Sequence, residues 1–282
     1  MGHQPMTALE AEYVLGHTDA EHHRLIQQAS VLRPSTERLL RAAGVSAGMR
    51  VLDVGAGAGD VSFLVAELVG PSGHVIGIDV DAEALTIAER RRAASNISNV
   101  TFVAGDLQTA ASHGPFDAVV GRLVLWYQPD PTETLRSIAG VLRPNGIVAF
   151  QELASGVFAW RIQNLPLLTS VIGWVRGAFA CSGVHVNLGW ELYWRMQDAG
   201  LLPDPAPFAE MPLDVGPESS AFNRWTSITR SLAPKIIAYG LATPQEMDLD
   251  TLEHRLRAEA SAARATVPLF SGLLVGQSAR KA

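Results

Sequence analysis

The sequence predicts an α/β protein with a doubly wound, mostly parallel seven-stranded sheet and helical cap insertions in its second half. Two observations lead to this prediction. From residue 50 onward, short apolar runs alternate with amphipathic segments, as strands and helices do in such folds. The first run also leads directly into a glycine-rich turn, where a buried strand can bend sharply into a helix. With 282 residues, 48% of them hydrophobic, the chain can bury a sizeable core.

Five strands are predicted in the first half of the chain, each an apolar run bounded by turn residues. They span residues 50–54, 74–79, 100–104, 116–121 and 147–151. Turn residues break the apolar pattern at 70–73, 98–99, 113–115 and 143–146. The spacing leaves room for a helix between successive strands.

Capping residues indicate where several of these helices begin. Asp81 is predicted to cap a helix over residues 82–94, because an aspartate side chain accepts the free N–H groups of a first turn. Asp130 and Pro131 form a cap and first-turn pair for a helix over 132–142. Apolar residues on one face of 61–69 predict a helix directly after the glycine-rich turn.

The regular alternation stops after residue 152. Residues 208–215 and 268–277 have the pattern of two further strands, while 188–199 and 218–266 are helical in pattern. The apolar stretch 165–180 is interrupted by a proline and an arginine, so it predicts a buried or substrate-facing helix rather than a membrane span.

The chain therefore divides into four predicted parts. Residues 1–45 form an N-terminal helical lid, 46–152 a ligand-binding core, 153–186 a helical cap insertion, and 187–282 the end of the core sheet with a second helical insertion at about 217–266. Ligands lie beyond the carboxyl ends of parallel strands, so we expect the lid and insertions to cover a small-molecule site.

Composition narrows the range of partners. The net charge of −6 argues against binding nucleic acid through phosphate neutralisation, and the arginines at 90–92 fit a solvated helix end. Cys181 is the only cysteine, which excludes an internal disulfide and fits a reducing cytoplasm. The first residues lack the pattern of a secretory signal. We expect a cytoplasmic protein with no nucleic-acid or membrane partner. The sequence is compatible with a homo-oligomer and does not decide the oligomeric state.

Residues 51–60, VLDVGAGAGD, are the most informative segment of the sequence. Apolar residues flank Asp53 in a buried strand, and three glycines then let the backbone turn tightly and approach a ligand. A dinucleotide-binding loop has the spacing Gly-x-Gly-x-x-Gly, but Asp60 stands where the third glycine would fall after Gly55 and Gly57. Acids at both ends of the loop repel a pyrophosphate and suit a cationic ligand.

This loop and its strand series resemble the class I, Rossmann-like S-adenosylmethionine-dependent methyltransferases, especially their small-molecule branch. The resemblance covers roughly residues 48–152 and implies S-adenosyl-L-methionine as cofactor and S-adenosyl-L-homocysteine as its product. Residues 46–152 are then the S-adenosylmethionine-binding core. The cofactor-binding residues that the resemblance assigns to the loop are Asp53, Gly55, Gly57, Gly59 and Asp60.

Two further strand ends carry acids that fit the same cofactor. Asp79 ends the second predicted strand about 20 residues past the loop, where a carboxylate can accept both ribose hydroxyls, and Val80 lies beside it. The resemblance implies that Asp106 and Leu107, after Gly105, bind the adenine amino group and ring. Each acid has a structural alternative, as a helix cap for Asp79 and as a turn residue for Asp106.

The fourth strand end resembles the segment that flanks the methionine part of the cofactor, with Gly121, Arg122 and Trp126 as the residues expected there. Arg122 is suited to hold a carboxylate of the cofactor or substrate, and a structural ion pair is an equal alternative. Trp126 or Tyr127 could wall the site or steady a sulfonium through the ring face, and packing against the next helix is the alternative.

The catalytic candidates are His185, Glu152 and Tyr13. A base is needed only when an O–H or N–H acceptor loses its proton during attack, and histidine is the commonest choice. His185 lies where the first insertion returns to the core, and Glu152, near the end of the fifth strand, is the rival base or an acceptor-orienting group. Tyr13 could hydrogen-bond the methionine end or the acceptor from the lid. Their structural alternatives are a core histidine, a segment cap and a lid anchor.

A bound metal is not expected. The histidines at positions 17, 22 and 23 are close together in the sequence. They lack the facing carboxylates at strand ends that would be needed to complete a metal site.

The predicted function is transfer of a methyl group from S-adenosylmethionine to an O, N or C nucleophile of a small, fairly apolar metabolite. The alternative is an S-adenosylmethionine-binding protein without methyl transfer, either a cyclase-like enzyme or a binding module. An NAD-dependent oxidoreductase is disfavoured by Asp60 in place of the third glycine and by Gly105-Asp106. The sequence leaves the acceptor open.

Overall fold

The computed structural model describes residues 19–155, 165–216 and 218–282, with side chains described from residue 28 onward. Its helices are α1 (Asp19–Ala43), α2 (Asp60–Val69), α3 (Ala82–Ala94), α4 (Leu107–Ala111), α5 (Pro131–Val141), α6 (Pro166–Cys181), α7 (Leu188–Asp198), α8 (Ser220–Ala238), α9 (Pro244–Met247) and α10 (Leu252–Ala263). A 3-10 turn, Leu125–Tyr127, precedes α5. Asp81 and Asp130 cap α3 and α5 through N–H groups of the first turn, as predicted.

The strands are β1 (Arg50–Val54), β2 (His74–Asp79), β3 (Val100–Ala104), β4 (Phe116–Arg122), β5 (Leu142–Ala154), β6 (Leu201–Pro203), β7 (Phe208–Glu210), β8 (Leu213–Asp214), β9 (Val267–Pro268) and β10 (Leu273–Lys281). The main sheet has the order β3-β2-β1-β4-β5-β10-β6, and β7 also pairs with β10. Strands β1 to β5 are parallel, whereas β10 is antiparallel to its neighbours. The predicted doubly wound, mostly parallel sheet is confirmed.

The sheet is buried on both faces because successive side chains of its central strands point to opposite sides. Val51 packs in a cluster with residues of α1 and α2, while Leu52 packs in a second cluster with residues of α5 and α7. Most residues of β1, β2 and β4 are buried, which explains why they read as continuous apolar runs.

Helices α6, α8 and α10 contribute apolar side chains to the same cluster as α5 and α7, and so extend the core beyond the sheet. Glu259 of α10 fixes the start of α6, since its two carboxylate oxygens accept the N–H groups of Leu167 (2.7 Å) and Leu168 (3.0 Å). Trp225 of α8 donates its indole N–H to the carbonyl of Pro268 at 2.8 Å. These contacts connect the two helical insertions to each other and to strand β9. Of the described helices, none has both the length and the apolarity to cross a membrane.

The last strands differ from the prediction. The sheet edge is β6, a three-residue strand directly after α7, and only residues 208–210 of the predicted strand 208–215 join the main sheet. The final strand begins at Leu273 rather than at 268. Strands β6 and β7 have three residues each, too few for an alternating pattern to show. The final strand begins later than predicted because Val267–Pro268 pairs with β8 in a separate two-stranded ribbon.

Candidate functional site

Five neighbouring strand ends bring polar groups to one edge of the sheet, because the carboxyl ends of parallel strands point the same way. Asp53 lies one residue before the end of β1, Asp79 ends β2, and Asp106 follows β3. Arg122 ends β4 and Glu152 lies near the end of β5. Most of the residues predicted to bind a cofactor are therefore adjacent in space.

The three glycines of the loop share a left-handed backbone but differ in what surrounds them. Gly55, Gly57 and Gly59 have φ of 70°, 51° and 89°, a left-handed backbone that disfavours other residues. A Cβ at Gly55 would lie 2.5 Å from Val124, and one at Gly59 would lie 2.8 Å from both Phe63 and Phe102. A Cβ at Gly57 would meet nothing within 4 Å. Gly57 therefore faces open space beside the loop, where a ligand could approach the backbone.

Asp79 holds the loop in place. One of its carboxylate oxygens accepts the N–H of Gly57 at 2.7 Å and the other accepts the N–H of Asp81 at 2.9 Å. Burial raises the pKa of Asp79, while these backbone hydrogen bonds act against the shift. An ionised carboxylate has about four acceptor sites, so two remain for hydroxyl groups of a ligand.

The neighbouring strand ends are open to solvent. The side chain of Val80 is 80% exposed, which is unusual for a valine directly after a buried strand. Asp106 caps α4: one oxygen accepts the N–H groups of Gln108 (3.0 Å) and Thr109 (3.1 Å), and these bonds lower its pKa. Leu107 begins that helix and is partly buried. Asp106 is thus the N-cap of α4, a structural role that differs from the turn residue of the alternative interpretation, and its second oxygen lies outside these bonds.

Asp53 is a buried acid with an incomplete set of partners. Its side chain is fully buried, and one oxygen accepts the hydroxyl of Ser62 at 2.6 Å. The other oxygen has no hydrogen-bond partner in the described part of the chain. Burial raises the pKa of Asp53 to about 7, although the Ser62 hydrogen bond and the charge of Arg122 oppose this. A buried acceptor without a donor is costly and points to a ligand or water that supplies one.

Arg122 connects this acid to helix α1. Its guanidinium donates to the hydroxyl of Thr36 at 3.1 Å, and the carboxylates of Asp60 and Asp53 offset the lowering of its pKa by burial. Gln151 accepts from Thr36 at 2.8 Å and donates to Ser35 at 2.6 Å. Sequence reasoning missed these three residues, since Ser and Thr inside a helix and Gln inside a strand form no motif.

Asp60 requires a correction. It was expected to present its charge to a cationic ligand, but its carboxylate pairs with Arg91 of α3 at 2.7 Å. Arg91 also donates to the carbonyl of Ala58 at 2.6 Å and lies 5.3 Å from the ring centre of Phe63. The pair fastens α3 to the loop, and the charge of Asp60 is largely neutralised.

Gly121 and Trp126 also differ from their predicted roles. Gly121 is buried, and a Cβ there would collide with the ring of Phe150, so the glycine serves close packing. The indole N–H of Trp126 donates to the carbonyl of Leu123 at 3.0 Å, and its ring packs on Phe179 of α6 at 5.2 Å. Trp126 is 5% exposed and joins the core to the cap, which matches the packing alternative.

The two catalytic candidates within the described ranges lie in different environments. Glu152 is fully buried, and one oxygen accepts the N–H groups of Val124 (3.0 Å) and Leu125 (2.8 Å). Burial raises its pKa to about 8, and the two backbone hydrogen bonds match the capping alternative. His185 is partly buried between α6 and α7, and its backbone N–H donates to the carbonyl of Trp126 at 2.9 Å.

Tyr13 and His17 lie outside the described residues, and the side chains of His22 and His23 do as well.

A doubly wound sheet with a glycine loop after β1 and acids at three successive strand ends defines a Rossmann-like protein that binds a nucleoside-containing ligand. A family model described as "Methyltransferase domain" matches residues 45–171. The demethylmenaquinone methyltransferase of Listeria welshimeri is 33% identical over 187 residues, which are 65% of this chain and 75% of that protein. The chain belongs to the class I S-adenosylmethionine-dependent methyltransferases, whose cofactor is S-adenosylmethionine.

Two further similarities are shorter or weaker. The arsenite methyltransferase of Aquipseudomonas alcaligenes is 34% identical over 114 residues, 38% of this chain, and the match spans only about a third (33%) of that protein. The crystal structure of an S-adenosylmethionine-dependent methyltransferase from Aquifex aeolicus is 20% identical, with a TM-score of 0.50 over 67% of this chain and 91% of that chain. The last similarity concerns the fold alone.

Proposed function

We propose that this protein transfers the methyl group of S-adenosylmethionine to a small, fairly apolar acceptor. The observation that carries the proposal is the buried Asp53, whose second oxygen lacks a described donor, beside the half-buried cation Arg122. A free amino acid group needs both an anion for its ammonium and a cation for its carboxylate. Asp53 and Arg122 offer this combination near the ends of the neighbouring strands β1 and β4, where the glycine loop begins.

The nucleoside part fits the two strand ends next to the loop. Asp79 keeps acceptor sites for two ribose hydroxyls while it holds Gly57. The exposed Val80 offers an apolar surface to one face of adenine, and Gly105, Asp106 and Leu107 lie at the next strand end. Gly57 leaves the space that a ribose or a sulfur would need against the backbone.

When bound, S-adenosylmethionine supplies a methyl carbon activated by a positive sulfur, and the C–S bonding pair leaves with sulfur as S-adenosylhomocysteine. The chain's own residues then need to orient the acceptor's lone pair in line with that bond and to exclude water. For an O–H or N–H acceptor, His185 is the proposed base, since it lies between two cap elements and Trp126 fixes its backbone. Tyr13 stays a proposed contact from the lid.

The acceptor is proposed to be a small molecule. Apolar residues of α6, α8 and α10 form the cap over the core, and the similar proteins are named for arsenite and demethylmenaquinone. The net charge of −6 gives no support to a nucleic-acid substrate. The exposed free thiol of Cys181 is compatible with the proposed cytoplasmic location.

Binding measurements on two variants test the proposal. Calorimetry with S-adenosylhomocysteine should give saturable binding to the wild-type protein. Asp79→Ala should lose at least ~100-fold in affinity, because two hydroxyl contacts and the anchor of Gly57 are removed together. His185→Ala should bind S-adenosylhomocysteine like the wild type. It should also lower turnover, which can be measured once an acceptor has been identified. Absence of binding by the wild type would refute the proposal, and equal losses in both variants would refute these residue roles.

A further inference from the structure

Glu152 is a buried acid that methyl transfer, as proposed, does not use. Its side chain is fully buried in β5, and its position is costly because burial disfavours the charged form. One of its oxygens accepts both the N–H of Val124 at 3.0 Å and that of Leu125 at 2.8 Å. The acid therefore binds the backbone of the turn that leaves β4.

This turn is strained. Leu123 has φ of 56°, a left-handed conformation that costs a residue with a side chain about 1–2 kcal/mol. Two hydrogen bonds hold Leu123 itself: its N–H donates to the carbonyl of Gln151 at 2.9 Å, and the Trp126 indole donates to its carbonyl at 3.0 Å. Strain of this kind persists where the surroundings over-determine a conformation, and it concentrates at functional sites.

The strained turn packs directly against the glycine loop. One methyl group of Val124 occupies the space that a Cβ on Gly55 would need, at 2.5 Å, and its other methyl lies 3.0 Å from a Cβ placed on Gly121. The N–H of Gly55 is in turn fixed by the carbonyl of Ile78 at 2.9 Å. The loop backbone is thus held between β2 on one side and Val124 on the other.

We propose that Glu152 is a positioning residue for the cofactor: its buried oxygen holds the strained turn at residues 123–125 so that Val124 sets the position of the glycine loop. The inference rests on the proposed function. It assigns Glu152 a role as hydrogen-bond acceptor, which glutamine can also fill, whereas a catalytic base has to take up a proton, which glutamine cannot do.

The test compares three variants by calorimetry with S-adenosylhomocysteine, with thermal unfolding measured on the same samples. Glu152→Gln should keep the dissociation constant within about threefold of the wild type, because the amide oxygen still accepts two N–H groups. Glu152→Ala should weaken binding at least ~10-fold, since it leaves both N–H groups buried without an acceptor. Glu253→Gln, on the partly exposed surface of α10, is the matched control and should change nothing.

Val124→Ala covers the case in which Glu152→Ala does not fold. It leaves the backbone bonds of Glu152 intact and removes the methyl groups against Gly55, so binding should weaken several-fold. A purely structural role for Glu152 would lower Tm while folded Glu152→Ala kept the wild-type dissociation constant, and that result overturns the inference. Wild-type binding by Val124→Ala overturns it as well, as does an equal loss in Glu152→Gln and Glu152→Ala. Failure of the wild type to bind would refute the proposed function itself.

Discussion

A side chain at position 57 would place its Cβ in open space, because no atom of the described residues beyond its chain neighbours lies within 4 Å of a Cβ built on Gly57. This position differs from Gly55, where the glycine is required by a neighbour in the protein. Space at Gly57 is therefore available to a ligand rather than to packing. The two positions separate the effects of a loop glycine on folding and on binding.

Gly57→Ala should retain the fold and lose cofactor. The left-handed backbone adds about 1–2 kcal/mol of strain, while the new methyl group occupies the space proposed for the ligand. Gly240→Ala is the matched control, since Gly240 has φ of 66° and also has nothing within 4 Å of a Cβ. Both variants should lose similar stability in urea, and only Gly57→Ala should lose affinity for S-adenosylhomocysteine. Equal affinity in both would place the ligand elsewhere.

Single residues were predictable where a motif fixes their place relative to a strand end. Asp53 and Asp79 are at the expected edge of the sheet because each belongs to a short segment of strand and turn. Asp60 was misjudged because its partner Arg91 lies 31 positions away, and no local pattern announces that pair. Thr36 was missed for the same reason, since its contact with Gln151 spans 115 positions.

At the scale of elements, α6 begins without a capping side chain of its own, and Glu259 of α10 supplies the missing acceptors from a distance in sequence. Glu259→Ala should therefore lower the free energy of unfolding by about 1–2 kcal/mol, the usual effect of removing a helix cap. Hydrogen exchange should increase at the amides of Leu167 and Leu168. Glu253→Ala on the same helix is the control, because Glu253 pairs on the surface with Arg257. Equal exchange in the two variants would contradict this role.

Elements were predicted well where residues repeat a pattern over at least five positions. Strands β1 to β3 have the predicted bounds, as does α3 with its Asp81 cap. The three-residue strand β6 gave no pattern, and its place is set by pairing with β10. Short edge strands depend on partners that are distant in sequence, so local periodicity does not locate them.

For the whole molecule, two fully buried carboxyl groups contribute strongly to how stability depends on pH. Burial raises the pKa of Asp53 from 3.8 to about 7 and that of Glu152 from 4.5 to about 8. The folded protein therefore keeps protons that the unfolded chain releases between about pH 4 and 8. The free energy of unfolding should fall across this range, with each group contributing at most about 4–5 kcal/mol.

Carboxylates with the opposite shift act at lower pH. Hydrogen bonds lower the pKa of the capping acids Asp106 and Asp130, so their contribution is lost as the pH falls below about 4. Urea unfolding should consequently show maximal stability at about pH 4. Asp53→Asn combined with Glu152→Gln removes two groups with raised pKa values, leaves Asp79, and should reduce the decline above that maximum. An unchanged profile in this double variant would show that other groups control it.

The antiparallel strands β5 and β10 pair with each other although they are far apart in the sequence. Leu274 pairs with Leu153, so roughly 120 residues, including the whole helical cap, intervene between partners in the centre of the sheet. During synthesis, the edge of β5 that carries Glu152 stays without its neighbour until those residues have been made. An unpaired apolar edge of this length is a template for wrong association. Pairing of β10 with β5 is therefore a late step that is exposed to aggregation in a nascent chain.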